Sequence, residues 1–576
     1  MSEPARDGRR VYRVERHRRW SGWRTSDIVL LLVIIVVSLT TLAYAGYTTG
    51  FADPLLGRSG RTDAEPAPAA VPTNIVGRDR PPSHDGASRS TLPPKKGDGV
   101  KVATFLGDQM RRSYGVGPAP RSLNVIWRCS IGTGKTSGVG KKKVESWSGT
   151  GWTGQPALVR DKGKLYLLVG GFDHNLHKID AATGKVLWEY EFPDVIKGSP
   201  TVFKNPNPQS ADDKYIVMCG SRRGFPVSFT DPGIAVYRAV TFGSGKELWR
   251  LPVPLTTSYS RDCDGSGFYL DGHVYVGVES GLFYDLDPLK TVAWNSFRAP
   301  VVEHSQELFG DAATRATHGG NLVLEASPAL LGDTIYIASG AGFLYGMRRS
   351  DLKIVWQYRT GSDLDGTAVT TADGKLLLPI EKQYIPGHGG VMLLDPSKPP
   401  AKAPVWFFPT GDRNVSDWLG GVIGSVAVND SYDPGGERPR LAAFNAIDGN
   451  LYVVARQAFA AGTVPGPNNE PGLRTPKLVF SDDVGGAITT PIFAGGDTIV
   501  SAGYDGLVHL YRITYRVSKK GKEGALQSPN GQSWTVTIEE KATFSGGGSF
   551  ESTPIVWDGR LYIGSRGGYL YCLGTK

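Results

Sequence analysis

One short hairpin motif recurs along this chain and constrains its fold more than any other feature. The clearest copy, IDAATGKVLWEY, spans residues 179–190: an alternating strand reaches an Asp, a TGK turn follows, and a second strand carries a Trp. Gly184 supplies the positive φ that such a tight turn needs. Further copies carry Trp or Phe at the same register, at Trp127, Trp249, Trp294, Trp356, Trp406, Phe480 and Phe544. The chain is therefore predicted to be built from one repeated unit.

A second element completes the unit. A small residue, often followed by Pro, opens a short strand before each hairpin, at Gln155, Ser199, Ser266, Ser327, Thr367, Gly424, Thr490 and Thr553. A further strand lies between this opening strand and the hairpin, so each unit has four strands and recurs after about 45 to 75 residues. Such units are typical of propeller blades. Two stacked β-sandwiches would also have short alternating strands, but the regular self-similarity argues against them.

The two ends of the repeat region are incomplete in a complementary way. The last unit has three strands and lacks its outer strand, whereas VIWRCSIG, around Trp127, is an outer strand without a blade. We therefore predict an all-β fold over residues 121–576: an eight-bladed β-propeller of four-stranded antiparallel blades, closed by pairing of the two ends. The 75 Gly and 39 Pro residues suit a fold with many tight turns.

The N-terminus predicts an address outside the cytoplasm. Residues 1–27 form a basic tail with eight Arg against four acids, and the uncharged apolar run at residues 28–45 is long enough to span a bilayer. The positive-inside rule then places the tail in the cytoplasm, a single-pass signal anchor at residues 28–47, and the propeller on the periplasmic or extracellular side. The alternative is a cleaved signal peptide, because Ala43-Tyr44-Ala45 has the pattern that signal peptidase reads.

Residues 48–120 are rich in Pro, Gly, Ala, Ser and charge, and are predicted to be a linker. Within them, residues 102–115 are more apolar and are expected to pack on the propeller. The net charge is +9, of which the N-terminal tail contributes +4, so the repeat region is not conspicuously basic. This charge distribution argues against a nucleic-acid partner.

The hairpin IDAATGKVLW resembles the repeat of pyrroloquinoline-quinone-like β-propellers, and the resemblance covers roughly residues 121–576. Relatives of that kind include quinone-dependent alcohol and sugar dehydrogenases as well as non-catalytic scaffolds of the cell envelope. The resemblance implies, for an enzyme, bound PQQ and Ca²⁺, with Asp365 as base, Glu325 as calcium ligand and Trp418 as floor of the cofactor site. The adjacent Cys-Cys pair of many such dehydrogenases is missing, because Cys129, Cys219, Cys263 and Cys572 are all separate.

Carboxylates recur two residues before the residue that opens the first strand of a blade: Asp264, Glu325, Asp365 and Glu551. In propellers these positions lie at one mouth of the central channel, so the four groups are expected to converge there. Converging carboxylates either bind a hard cation such as Ca²⁺ or hydrogen-bond neighbouring loop amides and hold the blades together. A second mixed group, Glu303, His304, Glu307, Asp311 and His318, lies in a long connection and offers metal-binding residue types without a fixed spacing.

Aligning the last blade on the hairpin at 179–190 places Cys572 at the register of Lys178 and Cys129 at that of Tyr190. We expect these cysteines to form a disulfide that locks the closing blade; the alternative is two buried thiols. Taken together, the sequence predicts a membrane-anchored propeller acting as a binding or scaffolding module of the cell envelope, with a protein or small-molecule ligand at the channel mouth. The alternative is a PQQ-dependent, calcium-assisted oxidoreductase acting on alcohols or sugars.

Overall fold

Eight β-sheets form the blades of a propeller in the computed structural model, which describes residues 92–137, 144–152, 154–225, 227–412 and 418–575. The predicted basic tail and anchor at residues 1–47 lie outside the described residues. Within the described part of the chain, no helix is long and apolar enough to cross a membrane. The predicted all-β, eight-bladed fold is confirmed.

The strands follow one another blade by blade. The N-terminal part contains β1 (Gly99–Val102), β2 (Gly115–Val116), β3 (Asn124–Ser130), and the hairpin of β4 (Thr133–Ser137) and β5 (Val144–Ser148). Blade 1 contains β6 (Ala157–Asp161), β7 (Lys164–Gly170), β8 (Asn175–Asp180) and β9 (Val186–Glu191). Blade 2 contains β10 (Thr201–Lys204), β11 (Tyr215–Cys219), β12 (Tyr237–Thr241) and β13 (Glu247–Leu251). Blade 3 contains β14 (Phe268–Leu270), β15 (His273–Val278), β16 (Leu282–Trp294) and β17 (Phe297–Glu307), and is followed by helix α1 (Ala312–His318).

The remaining blades repeat this order. Blade 4 contains β18 (Ala329–Leu331), β19 (Thr334–Ser339), β20 (Phe343–Arg348) and β21 (Ile354–Arg359). Blade 5 contains β22 (Val369–Thr370), β23 (Leu376–Ile380), β24 (Gly390–Leu394) and β25 (Pro404–Pro409). Blade 6 contains β26 (Ala427–Val428), β27 (Leu441–Asn445), β28 (Asn450–Phe459) and β29 (Pro476–Asp483). Blade 7 contains β30 (Ile492–Ala494), β31 (Thr498–Ala502), β32 (Leu507–Val517), β33 (Leu526–Gln527) and β34 (Ser533–Ser545), and blade 8 contains β35 (Ile555–Trp557), β36 (Arg560–Gly564) and β37 (Tyr569–Gly574).

Blade 8 is completed by the N-terminal strand β3, which pairs antiparallel with β37. The predicted closure is therefore correct, but the predicted disulfide is not formed, since all four cysteines are free thiols. Cys129 stands opposite Leu570 and Cys572 opposite Trp127, so the two cysteines are diagonal neighbours rather than a facing pair. Diagonal residues lie roughly 7–8 Å apart, whereas a disulfide needs Cα atoms within roughly 4.4–6.8 Å.

In five blades the Trp of the repeated hairpin joins its blade to the next. Its indole N–H donates to a carbonyl of the following blade in these pairs: Trp127 to Ala181 (3.1 Å), Trp188 to Phe242 (3.0 Å), Trp249 to Pro288 (2.8 Å), Trp356 to Lys398 (3.1 Å) and Trp406 to Arg456 (3.1 Å). The turn glycine lies against the ring of the preceding blade: a Cβ on Gly184 would come within 2.6 Å of the Trp127 ring. Gly184 also has φ of +75°, so only glycine meets both requirements.

The small residues that open the blades form a ring of hydrogen bonds around the axis. In seven of the eight blades the backbone N–H of the opening residue donates to the side chain that opens the next blade, at 2.6–3.4 Å, along the series Gln155, Ser199, Ser266, Ser327, Thr367, Ser425, Thr490 and Thr553. The backbone N–H of Thr553 donates instead to Gly154 O at 3.1 Å. In blade 6 this position is Ser425, one residue after the predicted Gly424. The side chain of Gln155 donates to Pro554 O at 2.9 Å and closes the ring. The recurring Ser or Thr is thus explained by hydrogen bonding between blades.

Residues 99–116, predicted to lie within a linker, are instead part of the propeller and occupy the inner edges of the blades. Strand β1 pairs with β6 of blade 1, and β2 pairs with β35 of blade 8. Between them, carbonyl groups of this segment accept hydrogen bonds from Val202, Leu330, Thr370 and Val556 of four blades. We call residues 99–116 the plug, and the expectation that residues 102–115 pack on the propeller is confirmed.

Candidate functional site

A cavity of about 350 Å³ opens at the channel mouth, on the face formed by the loops that lead into the first strands and by the turns between second and third strands. Its lining combines carboxylates with aromatic rings and two cations: Glu145, Trp147, Trp152, Lys197, Tyr259, Glu325, Asp363, Asp365, Glu381, Gln383, Trp418, Tyr504, Glu551 and Arg566. We call this space the mouth cavity. Predicted carboxylate positions of three blades, Glu325, Asp365 and Glu551, come together in its lining.

The structure brings the four predicted carboxylates to this region in two different states. Glu325 and Asp365 line the mouth cavity; Glu325 lies 3.9 Å from Lys197 Nζ, and Asp365 forms no ion pair with the described residues. Glu551 accepts a hydrogen bond from Arg566 Nη1 at 2.9 Å. Asp264 is buried beside Lys197 and bonded to its Nζ. Asp264 and Glu551 are therefore already neutralised by side chains of the protein.

Lys197 is a built-in cation on one side of the site. Its Nζ lies 3.9 Å from Glu325 Oε2 and 3.8 Å from the centre of the Trp152 ring. Burial disfavours the charged amine, but Asp264 and Glu325 overcome that cost and raise the pKa of Lys197 above its ordinary value. This side of the cavity thus already holds one positive charge.

A second acidic group, which the repeat pattern did not reveal, lies on the blade 5 side. One oxygen each of Asp363, Asp365 and Glu381 lies within 4.8 Å of the others. Asn321 Nδ2 donates to Asp363 Oδ2 at 2.6 Å, whereas Asp363 Oδ1 and Glu381 Oε1 are buried with no hydrogen-bond partner among the described residues. No side chain of the described residues forms an ion pair with any of the three. We call these three residues the acidic triad.

Burial and mutual repulsion favour the protonated forms of the triad carboxyl groups. Burial, followed by the charge of Glu325, raises the pKa of Asp363 to about 7. Burial, followed by neighbouring carboxylates, also raises the pKa values of Asp365 and Glu381 well above their ordinary range. The pKa of Glu325 rises to about 8 through burial and the charge of Asp365. Buried carboxylates of this kind are stabilised either by a proton or by a metal ion.

Trp152 forms the base of the mouth cavity. Its Nε1 donates to Glu325 Oε2 at 3.3 Å, and its ring packs obliquely on Trp418 with centroids 5.5 Å apart. A much smaller cavity of about 20 Å³ lies on the other side of Trp152 and is bounded by Phe105 of the plug. Trp152 has φ of +53°, a backbone conformation that is rare for a bulky residue and concentrates at functional sites.

Glu325, Asp365 and Trp418, which the sequence singles out, line the mouth cavity, but several of their neighbours there are not predicted from the sequence. Asp363 lies two residues before Asp365, in the loop that leads into the first strand of blade 5. Glu381 directly follows β23, in the turn between the second and third strands, and comparing this turn among the blades is the signal that could have found it. Trp152, between Gly151 and Thr153, had no repeat counterpart. In the mixed group of the long connection, His318 is instead structural, since its ring nitrogens lie 2.7 Å from Gly340 O and 3.0 Å from Gly361 O.

The described residues of the cavity do not fit the quinone cofactor that the resemblance implies. PQQ carries three carboxylates, whereas the lining has six acidic side chains against Lys197 and Arg566. Both cations are already paired, with Asp264 and Glu551. A trianion placed here would lose its water shell without gaining a positive partner.

Several solved structures are similar to this chain. A quinohemoprotein alcohol dehydrogenase from Comamonas testosteroni aligns with a TM-score of 0.50 and 14% identity, over 84% of this chain and 82% of the other. BamB from Moraxella catarrhalis aligns with a TM-score of 0.43 and 13% identity, over 78% and 100%, and the computationally designed protein Ika8 with 0.42 and 13%, over 74% and 96%. No protein-family model and no curated protein match the sequence. The likeness is one of fold, and it agrees with the propeller resemblance drawn from the repeat.

Proposed function

We propose that this chain, an eight-bladed propeller similar in fold to that quinohemoprotein, is a binding module that holds a hard divalent cation, Ca²⁺, in the acidic triad. The observation that carries the proposal is the pair of buried, unpartnered oxygens on Asp363 and Glu381. Leaving buried acceptors without a donor or a cation costs free energy, so a site that keeps several of them together is built for a positive ligand.

The chemistry of the donors favours calcium. The triad offers carboxylate oxygens only, and Ca²⁺ takes six to eight oxygen ligands in flexible geometry, at roughly 2.3–2.6 Å. Glu325, next to Asp365, is available as a fourth carboxylate. The predicted ligands Asp264 and Glu551 are replaced in this proposal by Asp363 and Glu381, because each of the former already has a basic partner.

The mouth cavity above the triad is the place for a second ligand. Its walls carry Trp147, Trp418, Tyr259 and Tyr504, and Tyr259 is 57% exposed as a residue. Aromatic rings of this kind supply contact area at low cost in conformational entropy. An ion in the triad would present open coordination positions to a protein segment or small molecule entering the cavity, and this suits a binding or scaffolding role.

The test is a calorimetric titration of the full-length, chelator-treated chain with CaCl₂. The proposal expects saturable binding, weakened at least about tenfold by D363N or E381Q. The matched control is D351N, which removes an equally charged, partly exposed carboxylate that pairs with Arg348. Absence of calcium binding in the unmodified chain, or equal binding by D363N and D351N, would refute the proposal.

We also propose that residues 28–47 anchor the propeller in a membrane, with the N-terminus cytoplasmic and the propeller extracytoplasmic. The support is the uncharged apolar run and the eight arginines before it. Carbonate-washed membranes should retain the full-length chain, and protease added to the outer side should remove the propeller. A soluble chain beginning at Gly46 would contradict the anchor and support signal cleavage.

A further inference from the structure

A group of two histidines and two carboxylates lies within blade 3. His273 begins β15, Asp285 lies in β16, and Glu303 and His304 lie in β17. His273 is six residues before Glu279, which sits in the turn at the mouth end of β15. At roughly 3.3 Å per residue, the group is therefore about 20 Å along the strand from that end.

A β-bulge brings the two residues of β17 to the same partner. The pairing runs from Asp285 opposite His304 to Leu286 opposite Val302, which leaves Glu303 as the extra residue. A bulge places two residues of one strand against one of its neighbour and re-aims a side chain. Glu303 and His304 therefore both approach Asp285, although they are adjacent in a strand.

The distances between donor atoms match those around a tetrahedral metal ion. His273 Nδ1 lies 2.9 Å from Asp285 Oδ1 and 3.5 Å from Glu303 Oε2, and His304 Nδ1 lies 3.1 Å from Asp285 Oδ2. Two ligands each about 2.0 Å from a tetrahedral Zn²⁺ are roughly 3.3 Å apart. The ligand atoms of His273, Asp285 and Glu303 all lie within 4.8 Å of one another, and His304 binds the other oxygen of Asp285.

Burial within the group is graded from core to surface. The Asp285 side chain is fully buried, whereas the side chains of His273, His304 and Glu303 are 16%, 22% and 25% exposed. An ion could therefore reach His273 and Glu303 from solvent and bind the Asp285 carboxylate, which is fixed in the sheet. The mixed nitrogen and oxygen donors differ from the all-oxygen triad and suit a borderline transition metal.

We propose that His273, Asp285 and Glu303 bind a divalent transition metal of the Zn²⁺ class, and that His304 positions the Asp285 carboxylate through its second oxygen. The ion would join three strands of one blade, β15, β16 and β17. Nothing in this proposal depends on calcium in the mouth cavity, because the two groups share no residue.

The test uses Co²⁺ as a spectroscopic probe on the untagged, full-length chain. One equivalent should bind with the visible d–d absorption of a tetrahedral site, and H273Q and H304Q should each weaken binding at least about tenfold. The matched control is H388Q, which removes an exposed histidine from a simple pair with Asp412 at 3.1 Å. The variant D363N should bind Co²⁺ at this site normally.

Glu303→Gln keeps the experiment decisive if a histidine variant fails to fold, because Glu303 lies at the surface of the group. It should retain the native melting temperature in EDTA and lose affinity for Co²⁺. No tetrahedral Co²⁺ signal from the unmodified chain, or equal binding by E303Q and H388Q, would show that the group is a hydrogen-bonded side-chain cluster only.

Discussion

The substitution Arg111→Ala should release the plug from the channel. Arg111 is fully buried and donates to three carbonyls: Pro328 O at 2.8 Å, Phe105 O at 2.7 Å and Ser266 O at 2.8 Å. A fourth hydrogen bond runs from Arg111 Nη1 to Thr104 Oγ1 and is 3.2 Å long. The guanidinium therefore joins the plug to the loops that lead into blades 3 and 4.

The magnitude follows from these bonds. Each carbonyl left unsatisfied in the interior costs roughly 1–3 kcal/mol. The buried charge is itself unfavourable, since burial lowers the pKa of Arg111 to about 9. Alanine removes this unfavourable contribution and so offsets part of the loss. The balance is an expected loss of about 3 kcal/mol in the free energy that holds the plug, or about a 100-fold change in its opening equilibrium.

Hydrogen exchange measures this opening directly, because plug carbonyls accept the amides of Leu330 and Thr370. In R111A both amides should exchange about 100-fold faster, whereas amides in the outer strands of blade 5 should keep their native rates. The control is R348A, which removes an exposed arginine paired with Asp351 and should change neither. Unchanged exchange of Leu330 and Thr370 in R111A would refute the assigned role.

Two further predictions concern titratable groups. In the cation-free chain, the raised folded-state pKa values of Asp363 and Glu325 mean that the folded state binds more protons than the unfolded state. Stability should therefore fall as pH rises from about 4 to about 8, and saturating Ca²⁺ should reduce that slope. A melting temperature that rises over this pH range in EDTA would contradict the prediction. Burial raises the pKa of Cys219 to about 12 and that of Cys572 to about 11. At pH 7 a thiol reagent should therefore label the four buried cysteines only after unfolding. A linked Cys129–Cys572 peptide in a non-reduced digest would contradict the free-thiol structure.

The repeat made the architecture predictable because the same local requirement returns in every blade. A turn glycine packs against a Trp of the previous blade, and this places Gly at the same position of the hairpin. A Ser or Thr hydroxyl accepts a hydrogen bond from the neighbouring blade, and this places Ser or Thr at the start of the first strand. The same register also placed Glu325 and Asp365 at the mouth. These features were readable since they arise from neighbouring blades of nearly identical geometry.

The plug was not predictable in the same way. Arg111 bonds to residues 155 and 217 positions away, and nothing in its local sequence indicates such partners. The disulfide failed for a different reason: in blade 1 Lys178 faces Trp188 and Leu176 faces Tyr190, so the alignment was right but its two positions are diagonal. Glu303 and His304 were noticed as metal-binding types, but their partners His273 and Asp285 are distant in sequence and meet them only through the sheet.

Terbium luminescence tests the central claim, cation binding in the acidic triad, most directly. Tb³⁺ replaces Ca²⁺ at oxygen sites and is excited by a nearby tryptophan, and Trp152 and Trp418 line the same cavity as Asp363, Asp365 and Glu381. Titration of the full-length chain with Tb³⁺, excited through tryptophan, should give sensitised emission that Ca²⁺ competes away. The emission should be lost in D363N and E381Q and kept in D351N. No sensitised emission from the unmodified chain, or equal emission from all three variants, would contradict the account.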